Sequence, residues 1–247
     1  MSEQPQQPLL GKSALVTGAA KRIGRHVALA LARAGADVSI TYRGSAAEAA
    51  EVVQQIESLG RRAQAVQCDI RKEAEVKAAV AATAAFHGRL DVLVNNAAIF
   101  QSAPLETMAL EQWDAVLETN VRGPFLVTRE AIPHLRAVKG RVVNMGSLGG
   151  LQAWPGHAHY CSSKAAVHML TKVMAKAFAP DVSVNAIAPG WIAFETDQPD
   201  AAERSRAQTP MQRNGSPQDI ADAVLYFVTH SGFVTGQILA VDGGLGV

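Results

Sequence analysis

The chain of 247 residues predicts a single-domain, doubly wound α/β fold, a seven-stranded parallel sheet with helices on both faces. Three observations predict it. Short, nearly continuous apolar runs alternate with Ala-rich stretches along the whole chain, and strands of that kind are covered on both faces. A helical stretch separates most pairs of successive runs, so those connections read as right-handed crossovers. Alanine is in excess, 44 of 247 residues, which suits helices packed closely on a sheet.

The elements follow in order. SALVT (13–17) is the first strand, and a helix from about Ile23 to Ala34 ends at Gly35, a residue suited to the left-handed helix stop. DVSITY (37–42) is the second strand, followed by a helix from Ala46 to Leu59 that Gly60 stops. AQAVQC (63–68) is the third strand, and a helix from about Lys72 to Phe86 ends before Gly88. DVLVNN (91–96) is the fourth strand, with a long helical region from about Leu110 to Leu135. RVVNMG (141–146) is the fifth, preceding a helix over His159 to Phe178 that Pro180 halts. VSVNAIA (182–188) is the sixth strand, 217–229 a helix opening at Pro217, and QILAVDG (237–243) the seventh. The region from roughly Trp191 to Asn214 is polar and proline-bearing, and reads as a loose segment long enough for a mobile lid.

Composition narrows the function. Lys+Arg 23 against Asp+Glu 22 leaves a net charge of +1, unlike a nucleic-acid or membrane-surface binder with its basic excess. One small anionic ligand remains compatible with that balance. Cys68 and Cys161 make no disulfide framework and no metal-type spacing. MSEQPQQPLL lacks the basic start and apolar core of a secretory signal, so residues 1–10 read as a flexible polar tail before one domain over 11–247, in a cytoplasmic protein. The longest uncharged stretch, Val142 to Ser163, is 22 residues but holds four glycines, Asn144, Ser147 and two histidines, too polar to span a bilayer.

Two constellations carry chemistry. Thr17-Gly18-Ala19-Ala20-Lys21-Arg22-Ile23-Gly24 joins the first strand to its helix. Glycine there lets the backbone approach a pyrophosphate, and the helix N-terminus offers free N–H groups. Lys21, Arg22 and Arg25 form a basic knot at that end. After the second strand, where an acidic residue would read a ribose hydroxyl, stand Arg43 and Ser45. Arg43 can pair with a 2′-phosphate through its planar fork, or be a solvated loop charge; beside the glycine turn it favours NADPH/NADP+ over NADH. Tyr160 and Lys164 lie four apart on one helix face, where an ammonium would lower the phenol's pKa. Ser147, just past the fifth strand, can donate its hydroxyl to an oxygen that gains negative charge.

On TGAAKRIG (17–24), CDI with Asp69, NNAA (95–98), ETNVRGPF with Asn120, Ser147, YCSSK (160–164), PG (189–190) and VDGG (241–244), the chain resembles the short-chain dehydrogenase/reductase family. The resemblance implies an NAD(P)(H)-dependent oxidoreductase with a Rossmann fold and a catalytic tetrad at Asn120, Ser147, Tyr160 and Lys164. It implies that Asn120 holds a water in a proton relay to Lys164, which also bonds the nicotinamide ribose. Asp69 and Ile70 would flank the adenine, Asn96, Ala97 and Ala98 the adenosine ribose, and Pro189 and Gly190 the nicotinamide. A homotetramer acting on a small-molecule substrate is implied too. Within the family, TGAAKRIGR, YRGSAAEA and GSPQDIADAV resemble pteridine reductases, which typically carry an aspartate where this chain has Ser147. Serine is the carbonyl-reductase choice, as in 3-oxoacyl carrier-protein reductases. The expected activity is therefore NADPH-dependent reduction of a ketone or 3-oxoacyl carbonyl with Tyr160 as proton donor. The alternatives are reduction of a C=N bond in a dihydropterin or dihydrofolate, and a dinucleotide-binding regulatory protein without turnover.

Other residues have blander readings. His157 and His159 lack acidic or thiol partners nearby, so no metal is expected. Cys161 reads as packing, and Met169 and Met174 as packing or subunit contacts. Trp154, Phe100, Trp191 and Phe194 fall in segments that line the family's substrate side, where aromatic walls suit a pterin or an apolar ketone.

Overall fold

The computed structural model describes residues 7–230 and 232–247. Seven parallel strands, β1 (Ser13–Val16), β2 (Asp37–Tyr42), β3 (Ala63–Gln67), β4 (Val92–Asn95), β5 (Arg141–Met145), β6 (Ser183–Pro189) and β7 (Ile238–Val241), form one sheet of order β3-β2-β1-β4-β5-β6-β7. This is the expected single-domain Rossmann fold, and the strand order reverses between β1 and β4.

Two-sided burial explains why the strands read as continuous apolar runs. In β1, Ala14 and Val16 enter one core and Leu15 the other; in β4, Val92 and Val94 divide from Leu93 in the same way. One core lies under α1 (Arg22–Arg33), α2 (Ala46–Ser58) and α8 (Pro217–Thr229), with Val27, Leu31, Ile56 and Val224 in it. The other lies under α3 (Glu73–His87), α5 (Gly123–Ala137) and α6 (Ala158–Phe178), with Val80, Leu135 and Met174. Between sheet and helices on this second side runs a buried polar network. Asn95 Nδ2 donates to Asn144 Oδ1 (2.8 Å) and Thr128 Oγ1 (2.9 Å), and Asn144 Nδ2 donates to Thr171 Oγ1 (2.9 Å).

Three expectations need correction. The helical region from Leu110 is broken: α4 (Leu110–Leu117) passes through a π-helical turn, Glu118–Arg122, before α5, and such turns recur at functional sites. The segment expected to be loose contains α7 (Pro199–Gln208), with Ser205 and Thr209 buried, Asn214 Nδ2 donating to Ala202 O (2.8 Å) and Ile192 bridged to Gly215. Its sequence, PDAAERSRAQ, lacks apolar periodicity; Pro199 at its start and the Glu203–Arg206 pair support it instead. The tail expected over 1–10 lies outside the described residues through residue 6, and at its far end Leu9 is fully buried with its N–H donating to Ala34 O (2.9 Å).

Leu9→Ala should therefore cost about 2–4 kcal/mol in urea unfolding, the range for a buried leucine truncated in a core. A loss below about 0.5 kcal/mol, the level of surface substitutions, would show that this residue is peripheral.

Candidate active site

The reversal of strand order opens a crevice at the carboxyl ends of β1 and β4, where doubly wound sheets bind ligands. Thr17 and Asn96 tie its two sides together. Asn96 Nδ2 donates to Thr17 O (2.9 Å) and Gly18 O (3.0 Å), while the Asn96 and Ala97 amides donate to Thr17 Oγ1 (3.0 and 3.1 Å). Gly18 has φ +62°, and a Cβ there would lie 2.8 Å from Ala97 Cα; at Gly24 a Cβ would lie 2.5 Å from Asn96 Nδ2. These glycines keep the turn tight and its backbone open to a ligand. α1 starts here with no side-chain cap and no acidic residue in its first turn, so its N–H groups face an anion unopposed. The cradle thus fits a dinucleotide pyrophosphate.

The basic knot is less free than its sequence suggests. Lys21 Nζ pairs with Glu48 (2.6 Å) and Arg25 with Glu51 (3.6 Å), both from α2. Arg22, at the left-handed φ of +53°, lays its guanidinium 4.0 Å from the centroid of the Phe194 ring and 3.8 Å from Asp197. The phosphate turn and the start of the 191–214 segment are thereby in contact. Beyond them, Arg43 lines the cleft with Asp69. Arg71 Nε donates to Asp69 Oδ1 (2.9 Å), and this pairing holds the Asp69 carboxyl down at about 2.

At the other end, α6 presents Tyr160 and Lys164 to the turn after β5. Lys164 is 3% exposed, its Nζ donates to Met145 O (2.8 Å), and it sits 5.7 Å from the Tyr160 ring centroid. Burial pushes the lysine down to about 8. Burial also raises the Tyr160 phenol, against a smaller opposing pull from the Ser147 hydroxyl. The depression expected from Lys164 is not seen, Ser147 supplying the opposing pull instead, and the phenol stays protonated at neutral pH. Ser147 Oγ accepts from the Gly149 amide (3.1 Å), which leaves its own proton for the Tyr160 phenol. Asn120, in the π turn and 1% exposed, donates to Ile99 O and Ser163 Oγ (both 3.0 Å) and accepts from the Ile99 amide (2.9 Å). Its side chain is committed to holding the site's wall.

One cleft of about 500 Å³ collects Gly18, Lys21, Arg22, Ile23, Gly24, Arg43, Asp69, Ile70, Asn96, Ala97, Ala98, Ser147, Tyr160, Lys164, Pro189 and Gly190. Ser45 and Asn120 are not among its lining residues. Sequence reasoning missed Thr41, whose Oγ1 and carbonyl accept from the Gly18 and Ala19 amides (3.2 and 3.0 Å). It also missed Cys68, a lining residue whose thiol burial raises to about 11. Phe100 and Phe194 line the cleft as expected. Phe100 stands edge-on to Tyr160 (centroids 4.7 Å) and stacks on His157 (4.8 Å), and Trp154 lies nearly parallel to Tyr160 (6.2 Å, 14°). Trp191 is 40% exposed. His157 Nε2 is bonded to Ser102 Oγ (2.7 Å), His159 is fully buried, and no metal-binding cluster occurs among the described residues. Met174 is buried in the core, whereas Met169 is exposed. No helix among the described residues is long and apolar enough to cross a membrane.

A crevice at the switch point that fits a dinucleotide and ends on a phenol and a hydroxyl suits an oxidoreductase, and this is an NAD(P)H-dependent one. A family model described as Enoyl-(Acyl carrier protein) reductase matches residues 18–246, and the chain belongs to the short-chain dehydrogenase/reductase family. It is 39% identical over 242 residues to the 3-oxoacyl-[acyl-carrier-protein] reductase FabG of Staphylococcus aureus, covering 95% of this chain and 98% of that protein. Among solved structures, a short-chain dehydrogenase/reductase from Serratia marcescens superposes with a TM-score of 0.93 at 34% identity, over 97% of this chain and 100% of that one. A 7α-hydroxysteroid dehydrogenase complexed with NADH and 7-oxo glycochenodeoxycholic acid gives 0.90 at 33%, over 96% and 94%.

The Asp69–Arg71 pair sets a pH dependence. A carboxyl whose folded pKa is depressed contributes stability above its unfolded value near 3.9, and loses it as the pH falls toward about 2. Arg71→Ala should lower the urea midpoint at pH 7, and the gap to wild type should narrow as the pH is taken from 5 to 3. A gap constant across that range would mean that Arg71 stabilises through packing alone.

Proposed function

We propose that the enzyme is an NADPH-dependent carbonyl reductase acting on a ketone or 3-oxoacyl substrate, with Tyr160 as proton donor. The observation that carries this is the convergence of a protonated Tyr160, a Ser147 hydroxyl beside it, and buried Lys164 at one end of the cleft. The bound dinucleotide supplies the hydride that the carbonyl carbon receives. Tyr160 delivers a proton to the carbonyl oxygen, while Ser147 donates a hydrogen bond to that oxygen as its charge grows. The Lys164 ammonium stabilises the phenolate left behind. A relay from solvent back to Lys164 would use the main chain of Asn120, since its side chain is spent on Ile99 and Ser163.

Arg43, lining the adenosine end beside Asp69, supports NADPH over NADH, because a guanidinium pairs with a 2′-phosphate. The likeness to FabG supports a 3-oxoacyl thioester. Phe100, which lines the cleft edge-on to Tyr160, supports an apolar group beside the reacting carbon and suits a pterin equally. The pterin reading rests on Arg22 and Arg43, which both serve the cofactor side, whereas Ser147 on the substrate side suits a carbonyl. A non-catalytic binder would have no use for Tyr160 and Lys164 together. The enzyme is read as a cytoplasmic homotetramer; exposed Met169, Val173 and Phe125 on α5 and α6 support subunit contacts there.

NADPH oxidation followed with acetoacetyl thioesters, small diketones, dihydrobiopterin and dihydrofolate tests the substrate class. Turnover confined to the pterins would overturn the carbonyl reading. Tyr160→Phe should lower kcat by at least about 100-fold, the range for a lost general acid, with NADPH binding unchanged; full retained activity would remove the acid role. Arg43→Asp should reduce the NADPH:NADH preference by roughly tenfold or more, as expected for a lost charged hydrogen bond. An unchanged ratio would place recognition of the 2′-phosphate elsewhere.

A further inference from the structure

The turn that carries Ser147 is braced from the side facing away from the substrate by a buried histidine that takes no part in these steps. His168 follows Lys164 by four residues and so continues the Tyr160–Lys164 face of α6 by another turn. It is 6% exposed. Its ring lies between the two glycines that bracket the turn after β5. A Cβ on Gly146 would come within 2.3 Å of His168 Nε2, and one on Gly150 within 2.6 Å of Cε1. The Ile187 carbonyl (2.9 Å) at Gly146 and the α6 backbone at Lys164 and Ala165 (2.7 and 2.9 Å) at Gly150 close in as well, so no side chain but hydrogen fits at either position. Between these glycines, the Ser147 amide faces His168 Nε2 at 3.5 Å, a long contact whose direction still requires a lone pair on that nitrogen.

We propose that His168 is a positioning residue for Ser147: its imidazole is the spacer that sets the 146–150 turn against α6 and aims the Ser147 hydroxyl at the space before Tyr160. This rests on the role of Ser147 in the carbonyl reading. An aliphatic side chain could fill the volume but would leave the amide facing carbon. A protonated ring would offer that amide a donor instead of an acceptor, beside the charges of Lys164 and Lys172. Burial and those two lysines hold His168 down at about 4, against a smaller opposing pull from the Gly150 backbone. At neutral pH the ring is therefore uncharged, as an acceptor at Nε2 requires.

The test couples His168 to Ser147. Ser147→Ala should lower kcat by about 100-fold, as for a lost oxyanion donor, and His168→Ala by about tenfold through misplacement of that donor. The double variant should be no slower than Ser147→Ala alone, because the two act through one group. His168→Gln, which restores an acceptor, should recover most of the rate, while His168→Leu, which restores only volume, should not. A readout that needs no turnover is the 13Cζ NMR signal of Tyr160, assigned among the three tyrosines by Tyr160→Phe. That signal should move in His168→Leu as it does in Ser147→Ala, and stay in place in His168→Gln. Losses that multiply, or a Tyr160 signal indifferent to His168, would overturn the assignment. If wild type reduces no carbonyl substrate, the reading of the reaction falls while the NMR comparison still decides for or against His168. Should His168→Ala not fold, the Gln and Leu variants carry the same decision.

Discussion

The cofactor cleft depends on one amide group. Asn96 Nδ2 is shared between the carbonyls of Thr17 and Gly18, two groups at the open end of a strand that would otherwise lack partners. That bond, with Thr17 Oγ1 accepting from two amides of the β4 side, carries the β1–β4 ladder a step past its last strand pair, where the crevice opens. The other features of this end follow. Gly24 has no room for a side chain because the Asn96 amide occupies it, so α1 lies close enough to aim its N-terminus across the gap. The members of such a network constrain one another, and removing any one exposes the rest.

The reacting end is built on a different device, a helix docked to a strand by polar rungs. On successive turns of α6, Lys164 reaches Met145, His168 faces Ser147 and Thr171 accepts from Asn144. Each rung addresses a different residue of β5 or the turn that follows it. The relation of Tyr160 to Ser147 thus starts from helix–strand register, which is stiff, and is carried through one short turn beyond β5. The cost is a buried ammonium, seen in the depressed pKa of Lys164, which the Met145 carbonyl offsets only in part.

The sheet and most helices were legible because two-sided burial writes an apolar run and glycine or proline punctuates it, as at Gly35, Gly88 and Pro180. The glycine turn and the Ser147, Tyr160, Lys164 set were legible because their chemistry needs those residue types near those places. What stayed hidden depends on tertiary placement. A polar helix such as α7 has no apolar period to betray it. A π turn differs from an α-helix by one residue, too little to alter the pattern around Asn120. The pairing of Lys21 and Arg25 with Glu48 and Glu51 joins two helices whose adjacency no local motif encodes. His168, one of two histidines in an Ala-rich helix, gave no sign of the two glycines it separates.

The bare start of α1 has a meaning for the life of the protein as well as for binding. A capping side chain there would be worth about 1 kcal/mol; α1 has none and no acidic residue in its first turn, so an anion seated on its amides would take the place of a cap. Folding and occupancy therefore share a term, since whatever sits on those amides binds the folded chain and not the unfolded one. A bound dinucleotide would therefore stabilise the folded chain, and a fall in its concentration would leave more molecules open at this corner.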